Sequence, residues 1–242
     1  MKTIIDKRTL EGVSTLEYRK KKSDKLLFLQ HGIYGNKQKI MNLLGISFVK
    51  LGYHVVAVDA YKHGSRGEEP FRSQNQDRSA LETMLVVKQT AEDIKAIYEN
   101  HFKEDYPMFD FVGISMGGLI GYYLSTITTY IDDLVALISS PKFLEANTYT
   151  FPKEKQAQYP ESKEVRKTIE TMDPSTKAHT MSFNRLLMFN GNDDDVIPYE
   201  QTESFYHQNK DMPIVFKLYD TKHKIVKPMH DDLIKYLKNK SV

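Results

Sequence analysis

Asp110-Phe111-Val112-Gly113-Ile114-Ser115-Met116-Gly117-Gly118-Leu119-Ile120-Gly121-Tyr122-Tyr123-Leu124 decides how this chain is read. An apolar run of strand type passes through G-x-S-x-G into an apolar-faced run of helical type. Glycines on both sides of Ser115 remove the Cβ atoms that would collide where the chain reverses tightly. A serine on such a strand-to-helix turn stands clear of the sheet, with its Oγ exposed and a helix N-terminus behind it. Two readings follow. Ser115 is a nucleophile, or it is the capping residue of a glycine-rich helix start. Partners elsewhere in the chain decide between them.

On either side of this stretch, apolar runs alternate with amphipathic ones. Lys25–Gln30 reads as a buried strand ended by His31-Gly32, and 41–51 as a helix stopped at Gly52. Val55–Asp59 is the next strand. Leu81, Leu85, Val87, Ile94, Ile97 and Tyr98 recur at helical spacing between 81 and 98. Further strands are expected at 109–114, 134–138, 186–189 and 214–218, and a last helix carries Leu233, Ile234 and Leu237. Continuous apolar strands separated by helices imply a parallel sheet covered on both faces. Ligands of such sheets sit beyond the C-terminal strand ends. Ser115, His31, Asp59, Asp194 and His223 all fall there, so they are expected to cluster.

Residues 141–183 interrupt the alternation. They are charged, contain Pro141, Pro152, Pro160 and Pro174, and show one helical stretch near 162–171. An insertion of this length at the C-terminal edge is expected to form a cap or lid within a single domain spanning 1–242. Its aromatics, Phe143, Tyr149, Phe151 and Tyr159, pack the cap onto the core or line an acyl pocket.

Composition narrows the function. The chain has 242 residues, 40% hydrophobic and 27% charged, which suits a folded domain with a sizeable core. A net charge of +2 with dispersed lysines makes no case for nucleic acid. Arg19-Lys20-Lys21-Lys22 precedes Ser23-Asp24 and reads as a strand end and turn. With no cysteine, a covalent nucleophile must be Ser, Thr, Asp or Lys. The N-terminus lacks the apolar stretch of a signal peptide, and no segment approaches the roughly 18 apolar residues of a membrane span, so a cytoplasmic enzyme is expected.

A serine nucleophile needs a base, an orienting acid and an oxyanion site. The strand 186–189 runs into Asn190-Gly191-Asn192-Asp193-Asp194-Asp195-Val196-Ile197-Pro198, where Asp194 is assigned as the orienting carboxylate. Asp193 and Asp195 remain alternatives, one of them suited to cap the helix starting near Tyr199. His223 follows the strand 214–218 and is the first choice for the base; His230, inside the last helix, is the rival. His54, His101, His179 and His207 lack a comparable setting. His31-Gly32-Ile33-Tyr34-Gly35 is a glycine turn whose Ile33 amide, with that of Met116, can donate to an oxyanion, while His31 is a structural hydrogen-bonder.

Gly113-x-Ser115-x-Gly117, the H-G-x-x-G turn, the G-x-x-D-x-x-I-P loop at 191–198 and a late histidine together resemble the α/β-hydrolase superfamily over nearly the whole chain. The order Ser115, Asp194, His223 is the one that class uses. The resemblance implies a mostly parallel eight-stranded sheet flanked by helices, with an antiparallel strand near 14–18. Asp59-Ala60-Tyr61-Lys62-His63-Gly64-Ser65-Arg66 is similar to a stretch of small esterases allied to the prolyl-oligopeptidase catalytic domain, which implies that His63 and Arg66 brace loops beside the site. Such relatives usually have Gly before the histidine, where this chain has Lys222. The implied activity is a serine carboxylesterase acting on small acyl esters, with neither metal nor organic cofactor. Thioesterase, small acyl-peptidase and a non-catalytic ligand-binding protein are the alternatives. The cap or sheet edge offers a surface for a homodimer.

Overall fold

The computed structural model describes residues 2–67, 76–149 and 163–239 and contains one eight-stranded sheet. Its strands are β1 (Ile4–Leu10), β2 (Val13–Arg19), β3 (Lys25–Gln30), β4 (Tyr53–Val58), β5 (Phe109–Ile114), β6 (Ile131–Leu137), β7 (Arg185–Gly191) and β8 (Ile214–Tyr219). They lie in the order β1-β2-β4-β3-β5-β6-β7-β8. β1 pairs antiparallel with β2 and β2 with β4; every other pairing is parallel. The expected antiparallel strand near 14–18 is therefore β2, and β1 precedes it across the positive-φ turn Glu11-Gly12.

The helices are α1 (Lys37–Ile40), which runs through a π turn at Met41–Gly45 into α2 (Ile46–Lys50), then α3 (Gln76–His101), α4 (Met116–Leu124), α5 (Phe143–Tyr149), α6 (Lys163–Met172), α7 (Tyr199–Gln208) and α8 (Lys227–Lys238). Because successive side chains of a strand point to opposite faces, each strand feeds two cores. Leu26, Phe28, Phe109, Phe111, Ala136 and Met188 meet α3, α4, α6 and the Phe205 of α7 on one face. Leu27, Leu29, Val112, Val135, Leu187 and Phe189 meet α2 and α8 on the other. Burial of each such side chain stabilises the fold by roughly 1.5–3 kcal/mol.

Two expectations need amendment. α3 is longer than the 81–98 pattern, because its polar first turns carry no apolar signal. Residues 141–183 hold more than one helix: α5, α6 and a 3-10 stretch at Pro174–Thr180, where Asp173 accepts from the Ser175 amide at 2.8 Å. Val165, Ile169 and Met172 of α6 are buried against the α3–α4 core. Whether this segment caps the site involves 150–162, with Phe151 and Tyr159, which lie outside the described residues. Among the described residues, no helix is long and apolar enough to cross a membrane.

β8 is the last strand of the sheet, hydrogen-bonded on one side only, and most of its residues are partly exposed. Positive backbone φ at non-glycine residues gathers at one rim. Tyr34 (φ +59), Lys62 (+58), Ser115 (+54) and Ile138 (+47) follow the C-terminal ends of β3, β4, β5 and β6, four neighbouring strands.

Candidate active site

Ser115 joins β5 to α4 with φ +54 and ψ −117. Its amide donates to Leu137 O of β6 at 2.9 Å, and its carbonyl accepts from the Gly118 amide at 2.8 Å, so the main chain is held on both sides. The glycines around it have steric reasons. A Cβ on Gly113 would lie 2.2 Å from Gly117 O, and one on Gly117 would lie 2.5 Å from Gln30 O. A turn this tight forces a backbone conformation that side chains seldom adopt, a local cost on the order of 1–3 kcal/mol. The hydroxyl does not cap α4. It points instead to a histidine.

His223 Nε2 lies 2.9 Å from Ser115 Oγ, and His223 Nδ1 lies 2.8 Å from Asp194 Oδ2. The second oxygen, Asp194 Oδ1, accepts the amides of Val196 and Ile197, each at 2.9 Å. Asp194 is buried, whereas Asp193 and Asp195 are exposed, so the acidic loop presents one carboxylate to His223. Neither neighbour caps α7, which Pro198 precedes without a side-chain cap, contrary to the role considered for them. The loops of β7 and β8 are laced together by Asn192 N to Tyr219 O at 2.9 Å and Asp193 N to Thr221 O at 3.2 Å. Gly191 is required there, since a Cβ would sit 2.2 Å from Thr221 O. The rival His230 is elsewhere, with Nε2 at 3.1 Å from Ser47 Oγ.

The H-G-x-x-G turn lies against the serine. A Cβ on Gly32 would be 3.3 Å from Ser115 Cβ. Gly35 N donates to Gly32 O at 3.0 Å, closing a four-residue turn with Tyr34 at the position that type II turns reserve for glycine or asparagine. A side chain on Gly35 would strike Gly32 O at 2.8 Å. The Ile33 amide is in this turn and the Met116 amide opens α4. Among the described residues neither has a hydrogen-bond acceptor.

His31 is a structural hydrogen-bonder. Its Nε2 accepts the Ala60 amide at 3.0 Å, which makes Nδ1 the N–H that donates to Gly32 O at 2.7 Å. Burial first, then the facing His63 and Lys37, bring its pKa down to about 4 against the opposing pull of Gly32 O and Asp59. A neutral imidazole with both nitrogens engaged has no lone pair left for a base.

Arg66 donates to Asp59 O at 3.3 Å, pairs with Asp93 at 2.6 Å and stacks over Tyr61, while His63 Nδ1 contacts Tyr61 O at 2.9 Å. Both brace the loop after β4. The motif-based reading missed the partner of Asp59, which is Lys37, 22 residues earlier. No spacing rule links those positions. Among the described residues, no three His, Asp or Glu side chains are grouped to hold a metal ion.

The arrangement can polarise a hydroxyl through an imidazole fixed by a carboxylate, beside two amides that have no acceptor among the described residues. The chain has relatives among known proteins. The model of the "Dienelactone hydrolase family" matches residues 14–236. "Putative esterase YitV" of Bacillus subtilis (strain 168) is 26% identical over 221 residues, which cover 84% of this chain and 82% of that one. The crystal structure of TT1662 from Thermus thermophilus has a TM-score of 0.83 at 22% identity, covering 98% of both chains. The Pyrococcus furiosus esterase Pf2001 has a TM-score of 0.66 at 19% identity, covering 98% of this chain and 92% of that one. At such identities the two structures establish the shared α/β-hydrolase fold.

Proposed function

We propose that this chain, which belongs to the dienelactone hydrolase family, is a serine hydrolase cleaving small carboxylic esters through an acyl-enzyme on Ser115. The observation that carries this reading is the unbroken chain from Asp194 Oδ2 through His223 to Ser115 Oγ, at 2.8 and 2.9 Å.

In the proposed reaction, Asp194 accepts the Nδ1–H of His223, which leaves Nε2 as the acceptor facing the serine. Ser115 Oγ attacks the ester carbonyl carbon while its proton passes to Nε2. The Ile33 and Met116 amides receive the oxyanion. The imidazolium then protonates the departing alcohol, and water repeats the sequence to release the acid. Asp194 holds the ring and stabilises its charged form. Residues 141–183, which connect β6 to β7, are proposed as the cap of this single domain.

A fluorophosphonate reporter tests the nucleophile. One adduct on Ser115, found by peptide mass spectrometry and missing from Ser115→Ala, is expected. An unlabelled wild-type protein would favour a binding protein that keeps the fold without turnover. Panels of acyl esters, thioesters and acyl-peptides of graded chain length then separate an esterase from a thioesterase or acyl-peptidase.

A further inference from the structure

The buried Asp59 and the half-buried Lys37 form a joint with no part in the chemistry just described. Asp59 directly follows β4, a strand that supplies no group to the Ser115–His223–Asp194 chain, yet its side chain is 2% exposed and both carboxylate oxygens are engaged. Oδ1 accepts the Lys37 amide at 2.8 Å. Oδ2 accepts the Lys37 ammonium at 2.5 Å and the Ser65 amide and hydroxyl at 2.8 Å each. Lys37 Nζ also donates to Ser65 Oγ at 2.9 Å. Gly64, at φ +53, leaves room for this packing, because a Cβ there would lie 2.4 Å from Asp59 Cγ. Burial alone would push the Asp59 pKa up; the Lys37 ammonium and amide and the Ser65 donors overcome that and hold it at about 2.

An ion pair with a buried carboxylate is weak evidence of stability, since desolvation offsets much of the attraction; the better-attested use of such pairs is to fix one geometry. What it fixes here is visible in the chain. Lys37 is the first residue of α1 and directly ends the segment 31–36 that carries the Ile33 amide. The other end of that segment is held by His31, which bonds Ala60, the residue after Asp59. Both ends of the turn are therefore fastened to the loop after β4. Amide donors for an oxyanion must stand within about half an ångström of their place to be effective.

We propose that the Lys37–Asp59–Ser65 joint is a positioning device for the Ile33 amide, acting on the oxyanion step and leaving substrate binding unaffected. The proposal rests on the serine-hydrolase reading above. Lys37→Met removes the ammonium and keeps the amide. Its kcat is expected to fall about tenfold, less than the roughly 10²–10³ for deleting an oxyanion donor outright. KM should change less than about threefold, and Ki for a trifluoromethyl ketone, which forms the tetrahedral adduct, should rise in step with the loss in kcat. Lys37→Arg should recover most of the activity. Ser65→Ala, at an exposed position, should show the same split at about threefold and keeps the test open if Lys37→Met does not fold.

Fluorophosphonate titration counts competent sites in each sample and separates the two claims. No labelling of wild type defeats the hydrolase reading. Labelling with kcat per labelled site unchanged in Lys37→Met, or in Ser65→Ala where the former is insoluble, overturns the joint. So does a kcat loss that leaves the ketone Ki untouched.

Discussion

Ser115 Oγ and His223 Nε2 stand 2.9 Å apart although 108 positions separate them in the chain. No local preference brings them together. β5 and β8 are three strands apart in the sheet, and only the sheet's order and the loop after β8 place the imidazole over the turn after β5.

Ser115→Gly should abolish turnover and stabilise the fold at once. Glycine takes φ +54 without the Cβ penalty, partly offset by its freer unfolded chain, for a net gain of about 1 kcal/mol. For a chain of this size that is roughly 2–4 °C in Tm, readable by calorimetry. A lower Tm would mean that the turn is unstrained.

Asp194→Asn keeps shape and removes charge. The carboxamide no longer holds His223 in the tautomer that leaves Nε2 free, so kcat should drop about 10⁴-fold. Far-ultraviolet circular dichroism should stay as in wild type, because the carboxamide oxygen can still accept the Val196 and Ile197 amides. The corresponding change at exposed Asp193 or Asp195 should leave kcat within about twofold.

Glycine substitutions should divide sharply by site. Gly113→Ala drives a methyl to 2.2 Å from Gly117 O, a backbone atom, and should destabilise by about 3 kcal/mol or more, with little protein recovered folded. Gly12→Ala meets nothing within 4 Å and suffers only its φ of +75, a penalty of about 1 kcal/mol in urea denaturation.

Acid should weaken the fold before it protonates most carboxylates. The His31 pKa is about 4 in the folded chain against an ordinary 6.5, so the unfolded chain takes up a proton that the folded one refuses. Its contribution is complete above pH 6.5 and falls away as pH drops towards 4, by up to about 3 kcal/mol. Asp59 and Glu17, each held at about 2, add a further loss between roughly pH 4.5 and 2. Urea midpoints between pH 7 and 4.5 should decline in wild type and decline less in His31→Gln; equal slopes would remove His31 from the account.

The alternation of apolar runs and helical periods predicted the sheet and most of its strands, because those patterns are set by local burial. That Ser115, Asp194 and His223 come together was legible for a related reason: each follows a strand, and glycine or proline marks the turns. Which of three aspartates meets His223 is visible only in the structure, since burial and the two amides of Val196 and Ile197 have no sequence signature. The helices at 143–149 and 174–180 were hidden by polar, proline-containing composition. The Lys37–Asp59 pair was invisible because it joins the start of α1 to the loop after β4, whose nearness is set by β3 and β4 lying side by side.

His223 hangs from the edge strand, and this bears on how the protein fails. β8 is half-covered and held by one neighbour, whereas β5, beneath Ser115, is buried among strands on both sides. Local opening draws on such weakly covered elements before the whole core gives way. Mild denaturant should therefore silence the enzyme while the central strands still exclude water. Catalytic rate becomes a gauge of how firmly the last strand is docked, more sensitive than any signal averaged over the core.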